Sequence, residues 1–164
     1  MSTPTAPPTV PPALAFATDN CTVGRTMAIL GERGTLVVLR EVFNGVRRFD
    51  DMRRHTSMPR QVLTNRLGLL VEHGILRKEP YQEPGERVRH EYRLTAKGLD
   101  LYPVMVAIAG WGDRYVADPE GPPVEFAHRE CGARVGAVLE CADGHRVDDV
   151  RQVAPRPGPG AHPS

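Results

Sequence analysis

What this chain has little of narrows its function first. Three cysteines, Cys21, Cys131 and Cys141, are scattered through 164 residues. That is an odd number without the dense spacing of a disulfide framework, which points to a reducing compartment. No apolar run approaches the ~20 residues that a membrane-spanning helix needs. The start of the sequence lacks the basic patch of a secretory leader, and the apolar stretch Ala13–Ala17 is too short to be its core. A cytoplasmic location is the expectation. The signatures of catalysis are missing too. Gly31-Glu-Arg-Gly34 has neither the spacing nor the ending of a phosphate loop, no Gly-x-Ser-x-Gly or His-Glu-x-x-His occurs, and the histidines are dispersed. Neither an enzyme nor a bound cofactor is expected. Aromatics make up 5% and hydrophobic residues 40% of the chain, enough for one modest domain with appendages.

The net charge of +1 conceals an uneven spread. Between Arg40 and Arg93 twelve Lys and Arg face eight Asp and Glu, whereas from Val116 to Ser164 five face eight. A basic middle suggests an anionic partner for that region. Residues 1–18 are rich in Pro, Thr and Ala and read as a disordered arm. The periodic sequence lies in 19–117, the expected folded domain. Pro and Gly over 118–123 mark a linker, which with a compact Cys/His-containing stretch forms an appendage over 118–150. Residues 151–164 are a Pro/Gly tail expected to be disordered.

The most informative stretch is Ser57–Gly74. Leu63, Leu67 and Leu70 recur at i, i+4 and i+7, the period of a helix burying one face. Pro59 fits its first turn, and Gly74 can close the far end in the left-handed conformation. The opposite face carries Arg60, Gln61, Thr64 and Asn65, side chains that reach phosphate oxygens and base edges, at the end where the helix dipole is positive. Upstream, Asp19 and Asn20 offer an N-cap to a helix on which Val23, Met27 and Leu30 share a face. Thr35–Phe43 is apolar almost all round and should be the buried central helix. Phe49 and Met52 then face inward while Arg47, Arg48, Arg53 and Arg54 stay outside. Helix, tight turn, second helix with a polar N-terminal face is helix-turn-helix order.

After Gly74 the period drops to 2. Ile75–Glu79 reads as a strand. In a second strand Val88, His90, Tyr92 and Leu94 alternate with Arg87, Arg89, Glu91 and Arg93, and Glu83–Glu86 supplies a Pro-Gly turn between the two. A hairpin with one basic face is what a wing lying on a DNA backbone requires. Thr95 can cap a last helix from Ala96 to about Val116, in which Pro103 should start a new turn or introduce a kink. Its apolar residues, Leu99, Tyr102, Val106, Ala109 and Trp111, fit no single stripe. They call for either the domain's own core or a second chain. The fold class is mainly α with a small β-hairpin wing, a winged helix-turn-helix.

The ordered set Cys21-Thr-Val, Leu30-Gly31, Thr35–Glu41 (T-L-V-V-L-R-E), Arg47–Phe49 (R-R-F), Leu63–Leu67 (L-T-N-R-L), His73–Leu76 (H-G-I-L), Glu91–Thr95 (E-Y-R-L-T) and Lys97–Leu99 (K-G-L) resembles the HxlR family of MarR-like bacterial winged-helix regulators. The resemblance covers roughly 20–115. It implies a homodimer joined by its terminal helices, with the Leu63–Leu67 helix in the major groove of a palindromic operator and repression as the commoner mode. Two positions depart from the family pattern: Arg33-Gly34 stands where a Lys-Trp pair is usual, and Pro59 where a Ser usually heads the recognition helix. The lost aromatic opens space either in the core or beside a sensor pocket. Pro59, Arg60, Gln61, Thr64, Asn65 and Arg66, with Arg47, Arg48, Arg87 and Arg89, are the expected DNA contacts.

The resemblance also implies that Cys21 can serve as an oxidant- or electrophile-sensing thiol, as in some members similar around this residue. A thiol in a first helical turn near Arg25 is suited to that role, and the competing reading is a small buried hydrophobe. Other members answer to small ligands. Within His128–His145, His-x-x-Cys and Cys-x-x-x-His resemble a degraded zinc ribbon, making Cys131, Cys141 and His145, with His128 or Asp143, metal-ligand candidates weakened by the missing second cysteine. Two rivals to DNA readout therefore stand beside it: a winged-helix protein-interaction module, and a metal-sensing regulator working through this segment.

Overall fold

The computed structural model describes residues 18–162. The arm expected over 1–18 therefore lies, except for Thr18, outside the described residues. The described residues divide into two compact units, a larger one over Thr26–Ala137 and a smaller one over 18–25 with 138–162. In the larger unit α1 (Thr22–Leu30) ends and α2 (Arg33–Phe43), α3 (Phe49–Thr56) and α4 (Arg60–Glu72) follow. An antiparallel hairpin, β1 (Leu76–Tyr81) and β2 (Arg89–Leu94), then leads to α5 (Ala96–Leu99) and α6 (Tyr102–Tyr115). No described helix is long and apolar enough to cross a membrane. The smaller unit contains the hairpin β3 (Leu139–Glu140) and β4 (Arg146–Val147) and a helical turn at Val150–Gln152 capped by Asp149. There the Asn20 amide donates to the Gly160 carbonyl.

The core forms where the sequence places its leucines. Leu63, Leu67 and Leu70 of α4 have no exposed surface, nor do Val38 and Leu39 of α2 or Met52 of α3. Full burial of a side chain of this size contributes roughly 1.5–3 kcal/mol, so this cluster is the main apolar source of stability in the unit. Ile75 and Leu76 close it from the start of the wing. The first helix departs from expectation. Leu30 is buried, but Val23 and Met27 are exposed, so the stripe they make with Leu30 is not a core stripe. Pro59 also shifts, lying at the N-cap of α4 with extended ψ of 140° rather than inside the first turn. A residue that precedes a helix needs no helical ψ, and its carbonyl still accepts the Leu63 N–H at 3.0 Å.

α2 also buries a charge. Glu41 is 4% exposed. Its carboxylate accepts from Arg40 Nε at 3.1 Å and Nη2 at 2.6 Å, and meets His55 Nδ1 of α3 at 2.9 Å. Burial pushes this carboxyl up, but the hydrogen bonds and charge of Arg40 and His55 outweigh burial and hold it below the ordinary glutamate value.

The wing is joined to the end of α4 by a compact knot. Gly74 adopts φ of +65°, ending the helix as expected. The Thr95 hydroxyl donates to the Gly74 carbonyl at 2.6 Å and accepts from the Gly98 N–H at 3.1 Å, while Lys97 Nζ donates to the His73 carbonyl at 2.8 Å. Gly98 is buried because a Cβ there would stand 2.2 Å from the Ile75 carbonyl oxygen. The Lys-Gly-Leu motif thus has a steric cause.

Two stability outcomes follow. Gly98→Ala should destabilise by about 1–3 kcal/mol through overpacking against fixed backbone. Gly74→Ala, where the Cβ meets nothing within 4 Å, should cost only the left-handed penalty of about 1–2 kcal/mol. Urea unfolding of both variants checks this, and a Gly98→Ala protein as stable as the parent would refute the close approach. In acid, Glu41 has a depressed folded-state pKa, so its contribution is complete above the ordinary value of 4.5 and lost as pH falls through the lower folded value. Glu41→Gln should therefore lose less stability than the parent as pH falls below the ordinary value of 4.5. Parallel acid limbs in urea titrations would contradict it.

Candidate nucleic-acid interface

The geometry of the interface starts from the turn between α3 and α4. Ser57 takes the left-handed conformation, φ 54°, and stops α3. The Thr56 hydroxyl donates to the Met52 carbonyl at 2.8 Å and receives the Met58 N–H at 3.3 Å, fixing the exit direction. With the leucines buried inward, Arg60, Gln61, Thr64 and Asn65 are all exposed on the outer face. Gln61 Nε2 donates to Asn65 Oδ1 at 2.8 Å, Thr64 Oγ1 donates to the Arg60 carbonyl at 2.9 Å, and the Arg60 guanidinium lies 5.2 Å over the Phe49 ring. No side chain caps the first turn of α4, so its orphan N–H groups are open to an anion.

Arg66 does not join this face. Only 21% of its side chain is exposed, and it pairs with Glu32 ahead of α2. The site of the family's missing aromatic explains the room for it. A Cβ on Gly34 would meet Arg66 Cγ at 3.6 Å and Met58 Cε at 3.8 Å. The space opened at Gly34 is therefore beside the head of the recognition helix, and Arg66 uses it.

The wing supplies the second wall. The hairpin register runs from Leu76 opposite Leu94 to Tyr81 opposite Arg89. A third strand segment, not expected from the sequence, joins it: Arg48 bridges to Glu91, and the Tyr92 N–H donates to the Arg47 carbonyl at 2.9 Å. A single bridged residue leaves no alternation to read. The expected basic face is mixed instead. Arg93 pairs with Glu79 at 2.7 Å and Glu91 at 2.6 Å, and Arg77 with Glu79 at 2.6 Å. Like charges directly opposite across strands are unfavourable, and these pairs relieve Arg77 opposite Arg93 and Glu79 opposite Glu91. Val88 is exposed and precedes β2. The apolar strand face is thereby reduced to Tyr92 and Leu94.

Between this wing and the two helices lies a cleft of about 460 Å³. Arg48, Arg60, Arg87 and Arg89 all line it, with Tyr81, which lies beyond the strand read from the sequence, and His90, which alternation sets on the face opposite the arginines. Asp50 and Asp51 are the acidic groups on its wall. Arg48 pairs with Glu83 of the hairpin at 2.6 Å and lies 4.4 Å over Tyr81, and Arg89 pairs with Glu86 at 3.0 Å. These pairs are exposed, and such pairs contribute only about 0–1 kcal/mol, so a phosphate can replace either carboxylate. Arg47 is exposed at the wing's base.

The cysteines fall into different settings. Cys21 is half-buried just before α1, its carbonyl accepting the Arg25 N–H at 3.0 Å. It is the residue preceding the helix rather than a member of the first turn. Cys131 belongs to a small hairpin in the larger unit, where Val135 N–H donates to the Phe126 carbonyl at 2.7 Å, and its Sγ is 3.3 Å from His128 Nδ1. Cys141 belongs to the smaller unit. Its Sγ lies 3.4 Å from His145 Nδ1, and with Asp143 these donors fall within 4.8 Å of one another, all three residues exposed.

The terminal helix explains why its apolar residues fit no single stripe, because it has two. At 100° per residue, Tyr102, Met105, Val106 and Ala109 share one side. Val104, Ile108, Trp111 and Tyr115 share the other and are exposed, Trp111 and Tyr115 each by 61%. Their rings are 5.3 Å apart.

A helix-turn-helix whose second helix presents an uncapped, polar N-terminal face beside an arginine-lined hairpin defines a winged-helix DNA-binding protein. The family model for HxlR-like helix-turn-helix proteins matches residues 29–120, and the chain belongs to that family. It is 45% identical over 138 residues to the HTH-type transcriptional regulator Rv3095 of Mycobacterium tuberculosis (strain ATCC 25618 / H37Rv), itself uncharacterized, covering 84% of this chain and 86% of that protein. Among solved structures it is similar to PA1607, proposed to be a transcription factor, with a TM-score of 0.72 and 30% identity over 85% of this chain and 96% of the other. It is also similar to the redox regulator HypR in its oxidized form, with a TM-score of 0.50 and 26% identity over 56% of this chain and 94% of the other. The chain is a helix-turn-helix transcriptional regulator, and its relatives and fold are those of regulators rather than enzymes.

Proposed function

We propose that this regulator acts as a homodimer on an inverted-repeat operator and represses by occupying it. The observation that carries the reading is the convergence of Arg48, Arg60, Arg87 and Arg89, from three separate elements, on the cleft beside the open N-terminus of α4. A major groove about 12 Å wide admits one helix. With α4 in it, Arg60, Gln61, Thr64 and Asn65 face base edges, Pro59 brings the uncapped turn to a phosphate, and Arg47, Arg48, Arg87 and Arg89 reach the backbone. Arg66, tied to Glu32, positions the helix and makes no base contact. The exposed Val104–Tyr115 stripe of α6 is the surface for the second copy, since an apolar face of this kind on a small domain requires cover.

Selection from random duplexes should return two half-sites about 34–36 Å apart, or a multiple of that. Gln61→Ala should weaken the selected site by on the order of 1–3 kcal/mol and relax one base position, while Arg87→Ala should weaken all duplexes alike and flatten the salt dependence. Trp111→Glu should give monomers in sedimentation and cost about 10²–10⁴ in operator affinity through lost avidity. If Arg60→Ala and Gln61→Ala leave sequence preference intact, the fold serves as a protein-interaction module instead.

Cys21 is the proposed sensor of oxidants or electrophiles. Its support is the half-buried thiol ahead of α1 and the similarity to a redox regulator. An adduct there would act through α1 on the spacing of the two recognition helices, without damage to either winged domain. Diamide should release the operator from the parent protein and from the Cys131→Ser and Cys141→Ser variants but not from Cys21→Ser. Equal release from Cys21→Ser assigns the thiol to packing.

A further inference from the structure

The smaller unit has no core of its own. None of its described residues is buried, and Leu139, which opens its hairpin, is 59% exposed. Units of fewer than about 40 residues usually need a disulfide, a metal or a partner to hold a fold. Cys21 and Cys141, the cysteines of this unit, are both free. The turn of the hairpin gathers the donors for a metal. Leu139 pairs with Val147 and Glu140 with Arg146, so Cys141 and His145 are the next residues to meet across the strands. The Cys141 N–H donates to the His145 carbonyl at 3.0 Å, and the Gly144 N–H to the Cys141 carbonyl at 2.9 Å. Gly144 takes the left-handed conformation, φ +80°, that closes a three-residue hairpin loop. Residues directly opposite on antiparallel strands turn their side chains to one face. Cys141 Sγ thereby stands 3.4 Å from His145 Nδ1, and Asp143, from the loop between them, brings a carboxylate oxygen within 4.8 Å of both. Nearby Asp148 and Asp149 are taken by Arg146 and Arg151, whereas Asp143 forms no ion pair among the described residues.

We infer that this turn binds a zinc-type divalent cation through Cys141 Sγ, His145 Nδ1 and an Asp143 carboxylate oxygen, with the fourth position open to water. Bonds of about 2.3 Å to sulfur and about 2.0–2.1 Å to nitrogen, at a tetrahedral angle, set those two donors about 3.6 Å apart. The observed 3.4 Å is close to that span. A thiolate and an imidazole select such a metal, whereas Ca²⁺ and Mg²⁺ take oxygen donors. Binding displaces the proton of the Cys141 thiol and requires a neutral His145 ring. His128 and Cys131 offer the contrast. Their Nδ1 and Sγ are 3.3 Å apart, yet no third donor gathers with them among the described residues. A thiol–imidazole hydrogen bond accounts for either pair alone, and only at Cys141 does a carboxylate converge as well. The site lies in the smaller unit and needs nothing from the operator-binding reading above.

The test uses the full-length, reduced protein without DNA. Co²⁺ is the probe, because a thiolate ligand gives it a charge-transfer band in the near ultraviolet. Titration should saturate at one ion per chain, with that band and the visible bands of four-coordinate cobalt, and equimolar Zn²⁺ should abolish both. Cys141→Ser should remove the charge-transfer band, while Cys21→Ser and Cys131→Ser keep it. Losing a partner outside the first shell already costs about 10–100-fold in metal affinity, so His145→Ala should weaken Co²⁺ by at least about 100-fold. Asp143→Asn should weaken it by about tenfold or more and keep the band. Cys141, Asp143 and His145 are all exposed, so these substitutions remove no packing. If Cys141→Ser nevertheless fails to fold, the parent protein decides. Zn²⁺ should slow alkylation of Cys141 by iodoacetamide about tenfold or more, because coordination occupies the reactive thiolate, and should leave Cys21 and Cys131 unchanged. Absence of the band at saturating Co²⁺, a band that survives Cys141→Ser or is lost with Cys131→Ser, or an affinity indifferent to His145→Ala or Asp143→Asn would overturn the site. So would equal alkylation of Cys141 with and without Zn²⁺.

Discussion

The leucine stripe of α4 is the constraint on which the rest depends. Leu63, Leu67 and Leu70 are wholly buried against α2 and α3. A helix anchored at three points on one face cannot rotate without exposing them, at about 1.5–3 kcal/mol each. Since successive residues lie 100° apart, fixing that face also fixes the outward direction of Arg60, Gln61, Thr64 and Asn65. Base readout tolerates little rotational error, because a bidentate contact needs both donor and acceptor in register. Apolar packing in the interior therefore sets the precision of a polar surface. The close Gln61–Asn65 hydrogen bond adds to this by holding two amides in one orientation before any duplex arrives.

Position along the helix is set at the other end. The His73 and Gly74 carbonyls, left open where α4 stops, are taken by Lys97 and Thr95 from beyond the wing. Open helix-terminal carbonyls need partners. Here the partners come from the segment that follows β2, so both ends of the hairpin are tied to the recognition helix: Ile75 at its start and Thr95 at its close. Gly98 permits the approach because no side chain intervenes. Arg48 adds a second tie from α3 to the hairpin through Glu83. The hairpin is thereby joined to the recognition helix at both its start and its close, as contact with groove and adjacent backbone at once requires.

Much of this was legible in the sequence because it depends on period and punctuation. The i, i+4, i+7 leucines gave the orientation of α4, the Pro-Gly turn and the change to period 2 located the hairpin, and the helix break at Pro103 fell where proline requires it. What escaped depends on contacts between distant residues. Nothing local distinguishes Arg66, turned inward to Glu32, from Arg60, turned outward. Alternation places Glu91 among the wing arginines, but not Glu79, which reaches them from the opposite strand and completes the conversion of a basic face into a mixed one. Val23 and Met27 have the spacing of a core stripe and are exposed all the same. Periodicity reports that a face is apolar, and only the fold reports what covers it.

The interleaved carboxylates have a consequence for recognition. Arg48 and Arg89 are each neutralised in the free protein by a glutamate of the hairpin, Glu83 and Glu86. A phosphate approaching either arginine must displace that carboxylate, so the electrostatic gain is the difference between two ion pairs rather than the full value of one. Indiscriminate attraction to any duplex is thereby reduced, while the polar outer face of α4 is unaffected. Arg60 and Arg87 have no carboxylate partner among the described residues, and they retain the steering charge. Specificity is a ratio of correct to incorrect binding, and lowering the non-specific term raises that ratio as effectively as adding a base contact. A wing neutralised in part is therefore suited to a regulator that has to find one operator among many competing sites.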